Sequence, residues 1–331
     1  MKKAQFLFFK IGMIFILIMC VSCKSEIKKV VSKNTKKDIT AHFKKFEEAQ
    51  LSSGILMRMD SFPSAYITPR PVDVWLPENY SNTSEYSVIY MHDGQMLFDS
   101  TSTWNKQEWK VDEWASQLIA NNKTDQFLVV AIHNIRELRW FDLFPQKASE
   151  YVEDEVLDSL RRMKSSPENS TKLSGNNYLK FIIEELKPIV DSEFSVYADK
   201  EHTYIMGSSM GGLMSMYAIC EYPEVFAGAA CLSTHWPGIT PVGDYPLPEA
   251  IFKYMEATLP DTGTHKIYFD YGTETLDANY PKYAPTVDQI LMNKRFYDGN
   301  FKNLKFDGTD HSENSWNKRL DIPLTFLLGK E

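Results

Sequence analysis

The stretch Ile205-Met206-Gly207-Ser208-Ser209-Met210-Gly211-Gly212-Leu213 constrains the fold more than any other part of the chain. Tyr204 to Met206 reads as a short apolar strand, and Leu213 to Ile219 suits a helix that Pro223 stops. Between them lies a Gly-x-Ser-x-Gly turn centred on Ser209. Glycines two residues either side of the serine let strand and helix pass without a Cβ clash. A turn of this kind stands the serine hydroxyl exposed at its apex. It also aims the next N–H, that of Met210, and the field of the helix N-terminus at charge developing on a substrate oxygen.

The rest of the chain supplies a scaffold for such a turn. Tyr86–Met91, Phe127–Ile132, Thr203–Met206, Val225–Leu232, Lys266–Tyr271 and Asn303–Phe306 read as strands. Trp109–Ala120, Tyr178–Val190, Pro285–Tyr297 and Leu320–Leu328 read as helices. Gly54 to Leu76 alternates apolar and polar residues and is broken by Pro63, Pro69 and Pro71, as in the edge strands of a leading hairpin or meander. Continuous apolar strands alternating with helices predict a single α/β domain, its mostly parallel central sheet covered by helices on both faces. In such sheets ligands bind beyond the carboxyl ends of the strands. Asp93 to Gln95, His133, Ser209, His235, Glu274 and His311 all fall at those ends.

A serine nucleophile needs a base, and the base needs an acid to orient it. His311 is the last histidine and follows the final strand, which makes it the expected base for a chain order of Ser, acid, His. Glu274 and Asp277 both lie just past the Lys266–Tyr271 strand; Glu274, nearer the strand end, is the first choice as acid and Asp277 the second. Asp310 ranks below both, since neighbouring side chains diverge. The N–H of Met210 is one expected oxyanion donor, and Gln95 or Gly94 supplies the other. Asp93 is expected to close the turn with Gly94 and, with His235, Trp140 and Trp236, to line the substrate pocket. His92 and His133 are expected to line the pocket or satisfy loop carbonyls.

The N-terminus reads as targeting sequence. Lys2 and Lys3 precede an apolar run from Phe6 to Val21 that ends in Cys20-Val21-Ser22-Cys23 and polar Lys24-Ser25-Glu26. This resembles a bacterial lipoprotein signal, apart from Cys20 where leucine is usual, and that resemblance implies lipidation of Cys23. The expected organisation is a signal peptide (1–22), a lipid-anchored linker (23–45) and the catalytic domain (46–331). The expected location is the bacterial cell envelope, with the membrane reached through the lipid. The net charge is −8, and residues 1–22 hold three lysines and no acid, which leaves −11 on the remainder. Such a body argues against nucleic acid as a partner. Cys220 and Cys231 sit in apolar segments and read as buried thiols. No Cys/His cluster has metal-ligand spacing, and no cofactor is expected.

Four segments carry a family resemblance: Val88 to Asp99, Gly207 to Gly212, Phe269 to Glu274 and His311 to Trp316. They resemble the putative-esterase family of α/β-hydrolases, which includes enterochelin-type siderophore esterases, feruloyl and acetyl xylan esterases, and mycolyltransferases. The resemblance implies an α/β-hydrolase fold, Ser209 as nucleophile, His311 as base and a backbone donor just after Gly94. Glu274 and Asp277 both stay open as acid, because the family varies at this position. The expected substrate is a polysaccharide acyl or feruloyl ester, or a siderophore ester. The rival readings are acyl transfer at the same site and a catalytically silent lipoprotein that binds a glycan or siderophore.

Overall fold

The computed structural model describes residues 43–165, 172–261 and 264–330. The expected signal peptide, Cys23 and the linker up to residue 42 lie outside the described residues. Among the described residues nine strands form one sheet: β1 (Lys44–Lys45), β2 (Ile55–Phe62), β3 (Arg70–Leu76), β4 (Ser87–His92), β5 (Phe127–Ile132), β6 (Thr203–Ser208), β7 (Gly228–Leu232), β8 (Lys266–Tyr271) and β9 (Phe301–Lys305). Their order is β1-β2-β3-β5-β4-β6-β7-β8-β9. From β5 to β9 every pairing is parallel, whereas β1, β2 and β3 join antiparallel at one edge. This is the α/β-hydrolase arrangement, and the described residues fall in one unit, Thr40–Glu331. Phe43 is buried against the ring of Phe194 and β1 pairs with β2, so the packed domain starts three residues before the boundary placed at 46.

The helices are α1 (Val111–Ala120), α2 (Arg139–Leu143), α3 (Asp154–Lys164), α4 (Gly175–Lys180), α5 (Lys187–Glu193), α6 (Met210–Glu221), α7 (Leu247–Thr258), α8 (Ala284–Asn293), α9 (Glu313–Asn317) and α10 (Asp321–Leu328). Phe181–Leu186 joins α4 to α5 as a wider π turn, so Tyr178–Val190 lies inside one continuous rod. Every residue of β4, β5 and β6 is buried, as continuous apolar runs require of strands covered on both faces. Successive residues alternate sides. Val88 and Tyr90 join the larger core, with residues of α2 and α4 to α8, while Ile89 and Met91 face the smaller core, with residues of α1, α9 and α10.

Because β4 and β6 are paired neighbours in register (Met91 with Met206), the turns that leave their carboxyl ends lie side by side. β7 is the other neighbour of β6 and β8 lies beyond it, which brings Ser233 and the segment after Tyr271 to the same edge.

Candidate active site

Ser209 sits between β6 and α6 with φ 57° and ψ −120°, a conformation that L-residues rarely adopt. Strain of this kind persists where the surroundings over-determine the backbone. Here they do: Ser209 N donates to Leu232 O at 2.9 Å, and His235 N donates to Ser209 O at 3.2 Å. Gly207 is required because a Cβ there would come within 2.9 Å of both the Gly211 backbone and the His92 ring. Met210 opens α6.

The turn after β4 runs through Gly94–Met96 and begins at Asp93, whose φ is 57°. A Cβ on Gly94 would lie 2.6 Å from the carbonyl carbon of Ala131, so only glycine lets the turn press against β5. The Gln95 side chain accepts from Asn134 N at 3.0 Å, which ties the turn to the loop after β5. Asp93 pairs with Arg139 through Nε and Nη2, each at 2.7 Å, and accepts from Asn134. Burial would raise its carboxyl, but Arg139 outweighs that and holds it below the usual range.

His311 Nδ1 lies 2.5 Å from Asp277 Oδ1. Asp277 is fully buried, and its Oδ2 accepts from Gly272 N at 2.7 Å and Ser233 Oγ at 2.6 Å. Asp277, not Glu274, therefore holds the histidine. The reason is local backbone geometry. Thr275 takes a positive φ of 54° and turns the chain, leaving Glu274 exposed and folding Asp277 back beneath His311. Thr275 Oγ1 also accepts from His311 N at 3.0 Å. Asp310 is occupied elsewhere, accepting from the hydroxyls of Ser312 and Ser315.

Ser209 and His311 are linked through a short series of contacts. His235 donates to the Ser209 carbonyl, its ring Nδ1 shares a 2.7 Å hydrogen bond with Tyr280 Oη, and the Tyr280 ring meets the His311 ring edge-on at 5.9 Å. Trp316 also meets the His311 ring edge-on, at 5.1 Å. Burial pushes His235 down to about 3 and His92 to about 4, so neither ring takes up a proton near neutrality. His92 shares a hydrogen bond with Tyr178 beneath the turn, and His133 pairs with Asp73.

The aromatic expectation fails. Trp140 is buried against Phe141 and Phe144 and donates to Gly238 O; Trp236 is buried between Phe252 and Phe269. Both are core residues, because the segments that bear them fold down over the sheet. His235 is likewise a buried brace, and Asp93 is neutralised by Arg139.

Sequence reasoning missed Ser233, whose hydroxyl donates to Asp277 and accepts from Trp316 Nε1 (2.9 Å) and Arg319 Nη2 (3.0 Å). Arg319 is itself locked by two 3.0 Å bonds to buried Asp270. Asp270 lies in the Phe269–Glu274 segment that carries the family resemblance, but no motif signals Ser233 or Arg319. Ser233 is hinted at by its place just after β7. Arg139 was missed as well.

Two hollows lie away from this cluster. One of about 330 Å³ is lined by Tyr66, Leu138, Phe141, Asp142 and their neighbours; the other, about 720 Å³, runs between α7 and α8 past Phe252 and Tyr283.

A strained serine between strand and helix, a glycine turn beside it and a histidine held by a buried aspartate at the same sheet edge define the serine hydrolases of α/β type. The family described as "Putative esterase" matches residues 64–326, and the chain belongs to it. It is an esterase. The Bacillus subtilis protein YjcH, whose activity is uncharacterised, is 25% identical over 262 residues, covering 77% of this chain and 90% of its own. A ferulic acid esterase from Anaeromyces mucronatus, solved with ferulic acid, superimposes with a TM-score of 0.56 at 17% identity, covering 86% of this chain and 94% of its own. The enterobactin esterase of Shigella flexneri gives 0.56 at 15% identity, over 84% of this chain and 59% of its own.

Proposed function

We propose that this protein is a lipid-anchored serine hydrolase of the cell envelope, acting on an acyl or feruloyl ester carried by a polysaccharide. The observation that carries the chemistry is the His311–Asp277 hydrogen bond at the sheet edge that bears strained Ser209. Ser209 Oγ attacks the ester carbonyl while His311 Nε2 takes its proton. His311 then gives that proton to the leaving alcohol. Asp277 accepts from Nδ1–H, fixing the tautomer and stabilising the imidazolium. The N–H groups of Met210 and Gln95 bind the oxyanion; among the described residues neither has a backbone acceptor outside its own helix or turn. Water, activated by His311, releases the acyl group.

Family membership supports ester hydrolysis, and the ferulic acid esterase likeness supports an aromatic or simple acyl ester only as an analogy of fold. The envelope location and the lipid on Cys23 are supported by the basic, then apolar, then cysteine pattern of residues 2–23. A fluorophosphonate tests the nucleophile. One covalent adduct on Ser209, absent from Ser209→Ala, is expected; folded wild-type protein that takes up no label would overturn the assignment.

A further inference from the structure

We infer that Trp104 forms an outer subsite that stacks on a neutral sugar ring of the chain bearing the ester. The inference rests on the proposed esterase reading and narrows its substrate to a glycan. Trp104 is 83% exposed, whereas Trp75, Trp109, Trp140, Trp236 and Trp316 are all buried. An indole in water is unusual for so large an apolar group. A floppy loop would explain it trivially, but this loop is laced together. Asp99 Oδ1 accepts from Thr101 N at 2.8 Å and from its hydroxyl at 2.7 Å. Lys106, at a positive φ of 58°, reaches back to Thr101 O at 2.6 Å. Thr103, the residue before the tryptophan, is buried and donates to Ser100 O at 3.1 Å. The indole is thus left outside by a backbone fixed on both sides of it.

The loop is tied to both the oxyanion turn and the segment that carries the base. The loop starts three residues after the turn Gly94–Met96. Its far side is bolted to the segment that carries the base: Asn105 Nδ2 donates to Glu313 Oε2 at 2.8 Å, and Asn314 N donates to Gln107 Oε1 at 3.3 Å. Glu313 is two residues from His311. Just beyond the loop, Trp109 packs on Trp316, which packs on His311.

The surroundings select the occupant. Every neighbour from Thr101 to Gln107 other than the indole is a hydroxyl, carboxamide or ammonium residue. One flat, exposed apolar face in an otherwise polar segment matches a pyranose, which offers an axial C–H face and keeps its hydroxyls in water. A membrane surface would call for further apolar residues beside the indole, and an aryl acyl group would call for enclosure.

The test uses the full chain in detergent. Xylohexaose, cellohexaose and mannohexaose are titrated into Ser209→Ala and into the Ser209→Ala/Trp104→Ala pair, with binding followed by calorimetry. At least one oligosaccharide is expected to bind, about tenfold more weakly without Trp104 and with part of the affinity restored by Trp104→Phe. In active protein, Trp104→Ala is expected to lower kcat/KM for an acetylated or feruloylated oligosaccharide at least fivefold more than for p-nitrophenyl acetate, through KM. Binding of none of the three sugars, or equal losses on both esters, would overturn the subsite while p-nitrophenyl acetate turnover leaves the esterase reading intact. Quenching of Trp104 by brominated lipid vesicles without sugar binding would assign the indole to the membrane instead. Absent turnover of p-nitrophenyl acetate counts against the parent reading, not against the sugar binding.

Discussion

Ser233 shows how much of a triad lies outside it. Burying a carboxyl group to 0% exposure is costly unless its oxygens are hydrogen-bonded, and Asp277 has Gly272, Ser233 and His311 for that purpose. Ser233→Ala leaves Oδ2 with the Gly272 N–H and frees the Arg319 and Trp316 donors. A charge-assisted bond of about 1.5–3 kcal/mol is lost, and part of it appears in orientation of the histidine. The expected result is kcat reduced about tenfold with KM within about twofold, read from p-nitrophenyl acetate kinetics. The acid itself was only half legible. Glycine, serine and chain order point to Ser209 and His311 directly. Choosing between Glu274 and Asp277 depends on a left-handed threonine at 275, which residue type does not announce. Tryptophans were similarly ambiguous, since an indole in a strand-end segment does not say which way it faces. Trp140 and Trp236 went inward, and Trp104 stayed out amid threonine, serine, asparagine and glutamine, a polar context that could have flagged it.

Among elements, the turn Gly94–Met96 is the least tolerant. Its contact with β5 leaves no room for a side chain at 94, so Gly94→Ala must push the turn off Ala131 and move the Gln95 N–H with it. Losing one oxyanion donor costs about 10²–10³ in kcat. Gly94→Ala is expected to fall in that range while the circular dichroism spectrum stays native; undiminished kcat would show that the turn holds no oxyanion. The buried strands were readable because a strand covered on both faces must be apolar throughout, as β4, β5 and β6 are. The helix α7 was not among the expected helices, although Leu247, Ala250, Ile251, Tyr254 and Met255 repeat at helical spacing. The helix α3 was harder, since only Leu157 and Leu160 are buried in a charged sequence.

For the whole molecule, the pH dependence of stability carries one distinctive contribution away from the site. Asp112, fully buried in the first turn of α1, is pushed up to about 7 by burial and by adjacent Glu113. Its unfolded value is near 3.9, so between about 4 and 7 the folded state binds the extra proton and stability falls as pH rises. Asp112→Asn keeps an acceptor for the Ser52 and Ser53 N–H groups and gives Glu113 a donor. The variant is expected to melt a few degrees higher than wild type at pH 8, about 2–4 °C for each kcal/mol, with the difference vanishing at pH 5. Equal differences at both pH values would show that Asp112 is ionised throughout.

Catalysis by Ser209, His311 and Asp277 is decided by one set of rates. Hydrolysis of p-nitrophenyl acetate is compared among wild type, Ser209→Ala, Asp277→Asn and Glu274→Gln. The expected result is turnover by wild type, none above background for Ser209→Ala, a kcat lowered roughly 10²–10⁴-fold for Asp277→Asn, and Glu274→Gln within about twofold of wild type. Wild-type turnover no faster than that of Ser209→Ala, or a loss confined to Glu274→Gln, would contradict it.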